Sequence, residues 1–592
     1  MELCAGLAFF LFGMQSMQDA LTQLAGGKLE QILAKSTETP LKSLLFGSIS
    51  TAILQSTTVV SLLIIAFIST GLITLSAGIG IIIGANVGAS GGIWLLALAG
   101  QNVSLGPFAY PMIVIGILAS FAGKPAKAAG RVIIGVAFIL LAIDLIKNGF
   151  SDFTQDFDIL SYELAGWSGI FILVGIGLVL TIILQSSHAS IMLILTMLSL
   201  EQITTIHAFA LTIGAIVGSA ITTGILGFIG GNRSGMRVAG SHVIYNAGTA
   251  VIILLLFQPI VYLIAYIETH FGINSLTEVA VFYTIFNIVG LLLFWPLKVP
   301  LANLLEKMIP ELPEPTQLIE TFDEHTTDLD IEIQSSKFLL EANLSSTRTA
   351  TQAVMQELSH LSRISLEVIC HILYLNTSVL SAKEVNQSNI NEFNDFEPQN
   401  ADILYQKYIK NLYSELLTFI SKVQYHESDE KYQQIMATSQ IIAFKLVSAV
   451  KNSHHLQKNL RYYLTHGPSP SQQFYMELRE YIVKNLRITY QMHFDSIAMR
   501  ENPEILHELL SIPLSSLIEQ SREFEGEFRT SVYTALKENR IDGFNTSSIL
   551  NDLNYSAQLV ESLFNILKVA AIQENNLIQN IDEILQMKEE GI

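Results

Sequence analysis

Gly47-Ser48-Ile49-Ser50-Thr51-Ala52-Ile53-Leu54-Gln55-Ser56-Thr57-Thr58 sets polar residues near the start of a run, Ser43 to Gly123, that contains no Asp, Glu, Lys or Arg. As one straight helix, Ser43 to Thr70 would be about 42 Å long, against a hydrocarbon core of roughly 30 Å. Two short half-helices broken near Gln55 and folded back as a re-entrant hairpin fit a bilayer better. A break at that depth frees N–H groups on one half and C=O groups on the other, which is tolerated only where they face protein or a wet cavity.

The surrounding sequence supports a membrane setting. Half of the 592 residues are apolar and 14% are charged, low for a soluble chain of this length. Further uncharged runs span Leu164 to Leu200, Gln202 to Asn232, Val238 to Ile267 and Val279 to Pro296. Residues 1–310 carry 11 Lys+Arg and 13 Asp+Glu, whereas residues 311–592 carry 22 and 39. The chain therefore divides near residue 310 into an apolar part and an acidic one. Met1-Glu2-Leu3 offers no basic stretch and no small-residue cleavage site, so the start reads as a first membrane helix and not a removed signal. The two cysteines, Cys4 and Cys370, suggest neither a disulfide framework nor a metal knuckle.

Basic residues set an orientation. They cluster as Lys28/Lys35/Lys42, Lys124/Lys127/Arg131, Arg233/Arg237 and Lys298/Lys307, which the positive-inside rule places in the cytoplasm. Ten of the eleven basic residues in this part fit one topology, Lys147 being the exception, and it puts the carboxy-terminal part in the cytoplasm.

The opening segment has a second copy 130 residues on. Gly47-x3-Thr51-x-Ile53-Leu54-Gln55-Ser56 recurs as Gly177-x3-Thr181-x-Ile183-Leu184-Gln185-Ser186, and Gly84-Ala85-Asn86-Val87-Gly88 as Gly214-Ala215-Ile216-Val217-Gly218. Gly6-Leu7-Ala8-Phe9 matches Gly135-Val136-Ala137-Phe138 at an offset of 129. Three crossings (about 72–99, 106–122 and 130–148) separate the two Gln-Ser segments. An odd number makes the hairpins enter from opposite faces and the repeats inverted in topology. That is the architecture of secondary transporters, which bind substrate and ions near the midplane at the repeat interface. Free N–H ends suit an anion, free C=O ends suit a cation, and neutral Gln, Ser and Thr side chains can hold an anion without a fixed charge gripping it.

On these residues the chain resembles the sodium–phosphate cotransporter family, the type II carriers and their bacterial relatives. Its paired Gln-Ser-Ser-Ser signatures correspond to Gln55-Ser56-Thr57-Thr58 and Gln185-Ser186-Ser187-His188, and Gly6-Leu7-Ala8-Phe9-Phe10-Leu11-Phe12-Gly13-Met14 and Gly84-Ala85-Asn86-Val87-Gly88 also resemble it. The resemblance covers roughly residues 1–305. It implies phosphate bound between the two signatures, with Na⁺ as coupling ion and no other cofactor, and alternating access. The implied substrate-binding set is Gln55, Ser56, Thr57, Thr58, Asn86, Gln185, Ser186, Ser187 and His188. Two positions depart from the pattern: His188 stands for the last Ser and Ile216 for the second Asn. His188 is read as a neutral donor to phosphate, a proton-coupled element, or a histidine satisfied by nearby hydroxyls.

Three more residues are candidates for ion binding or coupling. Asp144 is an acid inside a predicted helix, with Lys147 one turn away as a partner that would make it an interfacial ion pair. Asn246 and Asn287 lie late in the apolar part, where helix–helix hydrogen bonds are the competing account.

The expected fold is all-α: a polytopic membrane domain over 1–309 with inverted repeats (about 1–127 and 128–300) and two re-entrant hairpins, a proline-rich linker over 310–335, and a cytoplasmic helical bundle over 336–592. Phe338 to Tyr374, Asp402 to Val423, Tyr432 to Leu460, Ser471 to Phe494 and Leu550 to Gln573 carry helical spacing. The position of this bundle resembles the PhoU-like domains appended to some bacterial members, with a regulatory partner or self-association implied. Glu367 and His371, spaced i, i+4, read as a solvated or capping pair and not a metal site. Net acidity argues against nucleic acid. No Gly-rich phosphate loop, His-Glu-x-x-His or catalytic triad stands out, which argues against an enzyme. The expected function is sodium-coupled phosphate symport across a bacterial inner membrane. Phosphate export, carriage of another oxyanion, or a phosphate-sensing scaffold are the alternatives.

Overall fold

The computed structural model describes residues 1–36, 39–100, 106–154, 166–229, 233–310, 334–381, 401–423, 430–466, 468–491 and 514–573. The connections at 101–105 and 155–165, the linker at 311–333 and the break at 386–400 lie outside them. Among the described residues every regular element is helical. The chain forms two compact units, Met1–Leu312 with Glu341–Ser346, and Pro313–Leu340 with Thr347–Ile592.

The first unit holds α1 (Glu2–Ser36), α2 (Pro40–Leu54), α3 (Thr57–Ser69), α4 (Leu75–Ala99), α5 (Gly106–Ser120), α6 (Lys124–Thr154), α7 (Gly166–Leu184), α8 (Ser187–Ser199), α9 (Thr205–Ile229), α10 (Arg233–Leu255), α11 (Phe257–Phe271), α12 (Ser275–Phe294) and α13 (Lys298–Met308). Among the described residues, six stretches are long and apolar enough to cross a membrane: Leu75–Ala99, Ala126–Ser151, Gly166–Leu184, Thr205–Phe228, Arg233–Leu255 and Ser275–Phe294. Both Gln-Ser segments interrupt helices, but unequally. α2 and α3 have 15 and 13 residues, about 22 and 20 Å, and neither could span alone. α7 has 19 residues, about 28 Å, and meets the spanning criterion, whereas α8 has 13. The second break therefore sits nearer one end of its run than the sequence suggests. α5 at 15 residues, with Pro111 inside, is also short for a crossing.

Packing follows one plan in both halves. α2 lies along α4 and α7 along α9, while α1 pairs with α6. The repeated glycines make the first two seams. A Cβ on Gly47 would collide with Ile81 O, on Gly84 with Leu44 O and on Gly88 with Ser48 O; in the second half Gly177, Gly214 and Gly218 face Leu211 O, Val174 O and Leu178 O in the same way. Without water to drive helices together, such close approach supplies the van der Waals attraction that holds them. Ser48 Oγ donates across the first seam to Gly84 O at 3.0 Å.

In the second unit the long helices are Thr347–Ile372, Glu430–Thr465, Pro470–Tyr490, Leu514–Lys537 and Gly543–Gln573. They enclose buried Leu358, Leu361, Leu446, Leu478 and Leu563. Within it, Asp552 accepts from Tyr475 Oη at 2.6 Å and Asn459 Nδ2 at 2.7 Å. The helix predicted from Phe338 starts only at Thr347. The reason is tertiary, since one oxygen of Glu357 takes the backbone N–H groups of Lys337 and Phe338, both at 2.8 Å, and holds that stretch out of the helix. Glu367 pairs with Arg363 (3.5 Å) on its own helix.

Candidate functional site

The Gln-Ser dipeptide has a local reason. Gln55 is the C-cap of α2 with φ 53° and ψ 29°, a left-handed conformation that reverses the chain, and Ser56 (φ −148°, ψ 112°) immediately caps the next helix by accepting from Val59 N at 3.3 Å. Gln185 also has φ 53°, and Ser186 (φ −148°, ψ 113°) accepts from Ala189 N at 3.3 Å. A left-handed residue that is not glycine is held by its surroundings at a cost of about 1–2 kcal/mol. Only two residues, Gln55-Ser56 or Gln185-Ser186, separate one helix from the next, and the first N–H groups of α3 and α8, at Thr57-Thr58 and Ser187-His188, lack intrahelical partners. These ends carry the positive pole of each helix. Ser56→Ala is expected to weaken the first turn of α3 by about 1 kcal/mol, read as faster amide exchange at Val59.

The two breaks meet at one point. A Cβ on Gly92, in the second half of α4, would run into Gln55 Oε1 and His188 Nε2 together. Gln55 Nε2 donates to Ala52 O at 2.5 Å, so the amide turns its oxygen outward. His188 is 7% exposed, and its Nε2 has no partner. Gln55, Ser56, Thr57 and Thr58 are half-buried, as are Ser186 and Ser187, whereas Gln185 is exposed. The structure thus brings Gln55 and His188 together and leaves Gln185 outside that junction. Asn86 is buried and donates to Ile82 O on its own helix at 2.9 Å. Ile216, its counterpart, is buried in the apolar core.

Of the three ion candidates, the asparagines and the acid separate. Asn246 donates to His242 O (3.0 Å), and Asn287 donates to Tyr283 O (3.0 Å) and Ser90 Oγ (3.1 Å). Both leave a buried Oδ1 with no partner. Asp144 accepts from Gly106 N (3.0 Å) at the start of α5, and Lys147 donates to Gly100 O (2.9 Å) at the end of α4, so this pair serves helix ends.

Sequence reasoning gave no role to three residues here. Gln18 on α1 donates to Gln55 O at 3.0 Å, satisfying the carbonyl that the break frees. Thr181 donates to Ser190 Oγ at 2.8 Å, linking α7 to α8. Its counterpart Thr51 has no such partner, because the position matching Ser190 is Val60. Gly92 is the third. The offset of 130 could have exposed the Val60–Ser190 difference; nothing in the sequence marked Gln18 or Gly92.

Helices of this length and composition, broken twice in the apolar part, define an all-α polytopic membrane protein. The Na⁺/Pi-cotransporter family model matches residues 9–148. YqeW of Bacillus subtilis (strain 168), a protein named as uncharacterized, is 27% identical over 314 residues, 51% of this chain and 96% of YqeW. YjbB of Escherichia coli (strain K12), provisionally named an inorganic phosphate export protein, is 27% identical over 318 residues, 53% of this chain and 56% of YjbB. The YjbB of Salmonella typhimurium is 26% identical over 318 residues, with the same coverage. The match thus spans little more than half the length of YjbB. No solved structure is significantly similar to the chain.

Proposed function

We propose that the chain is a sodium-coupled inorganic phosphate symporter that works by alternating access, its anion held between the two helix breaks. The observation that carries this reading is the meeting of Gln55 and His188, one from each break, beside the unpaired N–H ends of α3 and α8. Two helix N-termini and neutral side chains attract a tetrahedral oxyanion without a fixed counter-charge, so the anion can leave again. The substrate set is Gln55, Ser56, Thr57, Thr58, Asn86, Ser186, Ser187 and His188, with Gln185 joining when the second break closes. The unpartnered oxygens of Asn246 and Asn287 are acceptors of the kind Na⁺ takes. On this reading the two halves are inverted repeats, the breaks are re-entrant hairpins, and the acidic second unit is a cytoplasmic PhoU-like bundle that binds a regulator or itself.

The test is radiolabelled phosphate flux into proteoliposomes with and without a Na⁺ gradient. Uptake is expected to rise about tenfold or more with the gradient, since coupling supplies free energy in proportion to it. Flux indifferent to Na⁺, or none, sinks the symport reading. The name of YjbB favours a second reading, phosphate export. Preloaded vesicles that release phosphate down its own gradient, with Na⁺ irrelevant, would favour export.

A further inference from the structure

The geometry points to Gly92 as a specificity-determining residue: its bare Cα lets Gln55 Oε1 and His188 Nε2 grip one shared ligand oxygen that carries a proton. The site would thereby select hydrogenphosphate and arsenate over sulfate. This rests on the oxyanion-binding reading above and adds what the site reads on the anion.

Both atoms lie within 2.5 Å of the same point, the place where a Cβ of Gly92 would be. They are therefore close enough for a single oxygen to bridge them at ordinary hydrogen-bond lengths. Their chemistry is opposite. Gln55 Nε2 is committed to Ala52 O at 2.5 Å; turning the amide over would set two carbonyl oxygens against each other at that distance, so Oε1 faces the junction as an acceptor. His188 Nε2 is buried without a partner and, in the tautomer protonated there, is a donor. An oxygen between the two must accept from one and donate to the other, which a P–OH or As–OH oxygen does. Sulfate has no such proton near neutral pH, and its oxygen would press lone pairs against the Gln55 carbonyl. An acceptor set against a lone pair discriminates against the analogue that lacks its donor.

Gly92 is what permits the approach. Glycine inside a 25-residue helix is otherwise unfavourable, so a change to Ala would strengthen the helix taken alone. Loss of binding in Gly92→Ala therefore cannot come from helix propensity. The neighbouring Gly91 is exposed and has nothing within 4 Å of its Cβ position, which makes Gly91→Ala the matched control.

The experiment is calorimetric binding of inorganic phosphate, arsenate and sulfate to the purified full chain in detergent, with phosphate flux measured in parallel. Phosphate and arsenate are expected to bind within about tenfold of each other and sulfate about 100-fold more weakly or not at all. Gly92→Ala is expected to weaken phosphate binding about tenfold or more, while Gly91→Ala stays within about twofold. Sulfate binding as tightly as arsenate overturns the proposal on the unaltered chain, without recourse to any variant. So does a Gly92→Ala protein that binds like Gly91→Ala. Selective binding without flux would keep this inference and remove the transport reading; flux with equal sulfate binding would do the reverse.

Discussion

Gln55→Gly is expected to lower phosphate flux about 10- to 100-fold while the protein inserts and folds as before, because a hydrogen bond to a charged ligand contributes about 1.5–3 kcal/mol. Glycine is the informative choice. Gln55 sits at φ 53°, where glycine is at ease, so the variant keeps the reversal of the chain and removes only the amide. Gln55→Ala removes the amide and also retains a Cβ in the left-handed region, so it loses the ligand contact without any relief of strain. If Gln55→Gly transports normally and Gln55→Ala does not, the residue is a backbone device and the site assignment fails. Gln185→Gly is expected to have the smaller effect of the two, since its side chain is exposed while that of Gln55 reaches the junction with His188. Flux in proteoliposomes, normalised to inserted protein, decides both.

The second large effect is on assembly. Gly84→Ala would drive a methyl group into the carbonyl of Leu44, backbone against backbone, with no flexible side chain to yield. Overpacking of this kind costs about 1–3 kcal/mol or more, and the α2–α4 seam carries three such glycines in register. The expected result is a fall in the melting temperature of the detergent-purified chain and a sharp loss of yield. Gly91→Ala, on the open side of the same helix, should change neither. Equal stability of the two variants would show that the seam tolerates separation.

How much of this was readable from the chain differs by element. The break at Gln55 follows from length alone, because 28 residues of helix overshoot a bilayer, and the match at Gln185 follows from the offset. What the Gln-Ser pair does locally did not follow. A C-cap in the left-handed region is expected of Gly or Asn, and Gln takes it here because the surrounding contacts, including Gln18 on its carbonyl, hold it there. The repeated Gly-Ala-x-Val-Gly was visible as a repeat, but its use as a helix seam needs the partner helix. Gly92 was invisible for a related reason, since what matters is a side chain it lacks and two others brought to it from 37 residues before and 96 after. In the second unit, helical spacing from Phe338 misled because Glu357, 19 residues away, claims the backbone N–H groups that a helix would leave to water.

The difference between Thr181 and Thr51 has a mechanical meaning. Thr181 and Ser190 lash the two arms of the second break to each other, so that break turns as a rigid bracket. In the first, Thr51 Oγ1 has no such partner, and the carbonyl of Gln55 is held instead by Gln18, a residue of another helix. The elbow angle of that break is thus set by where α1 stands. A tilt of α1 against the rest of the unit would flex one elbow and leave the other stiff, so a molecule built from two like halves would move with only one of them bending.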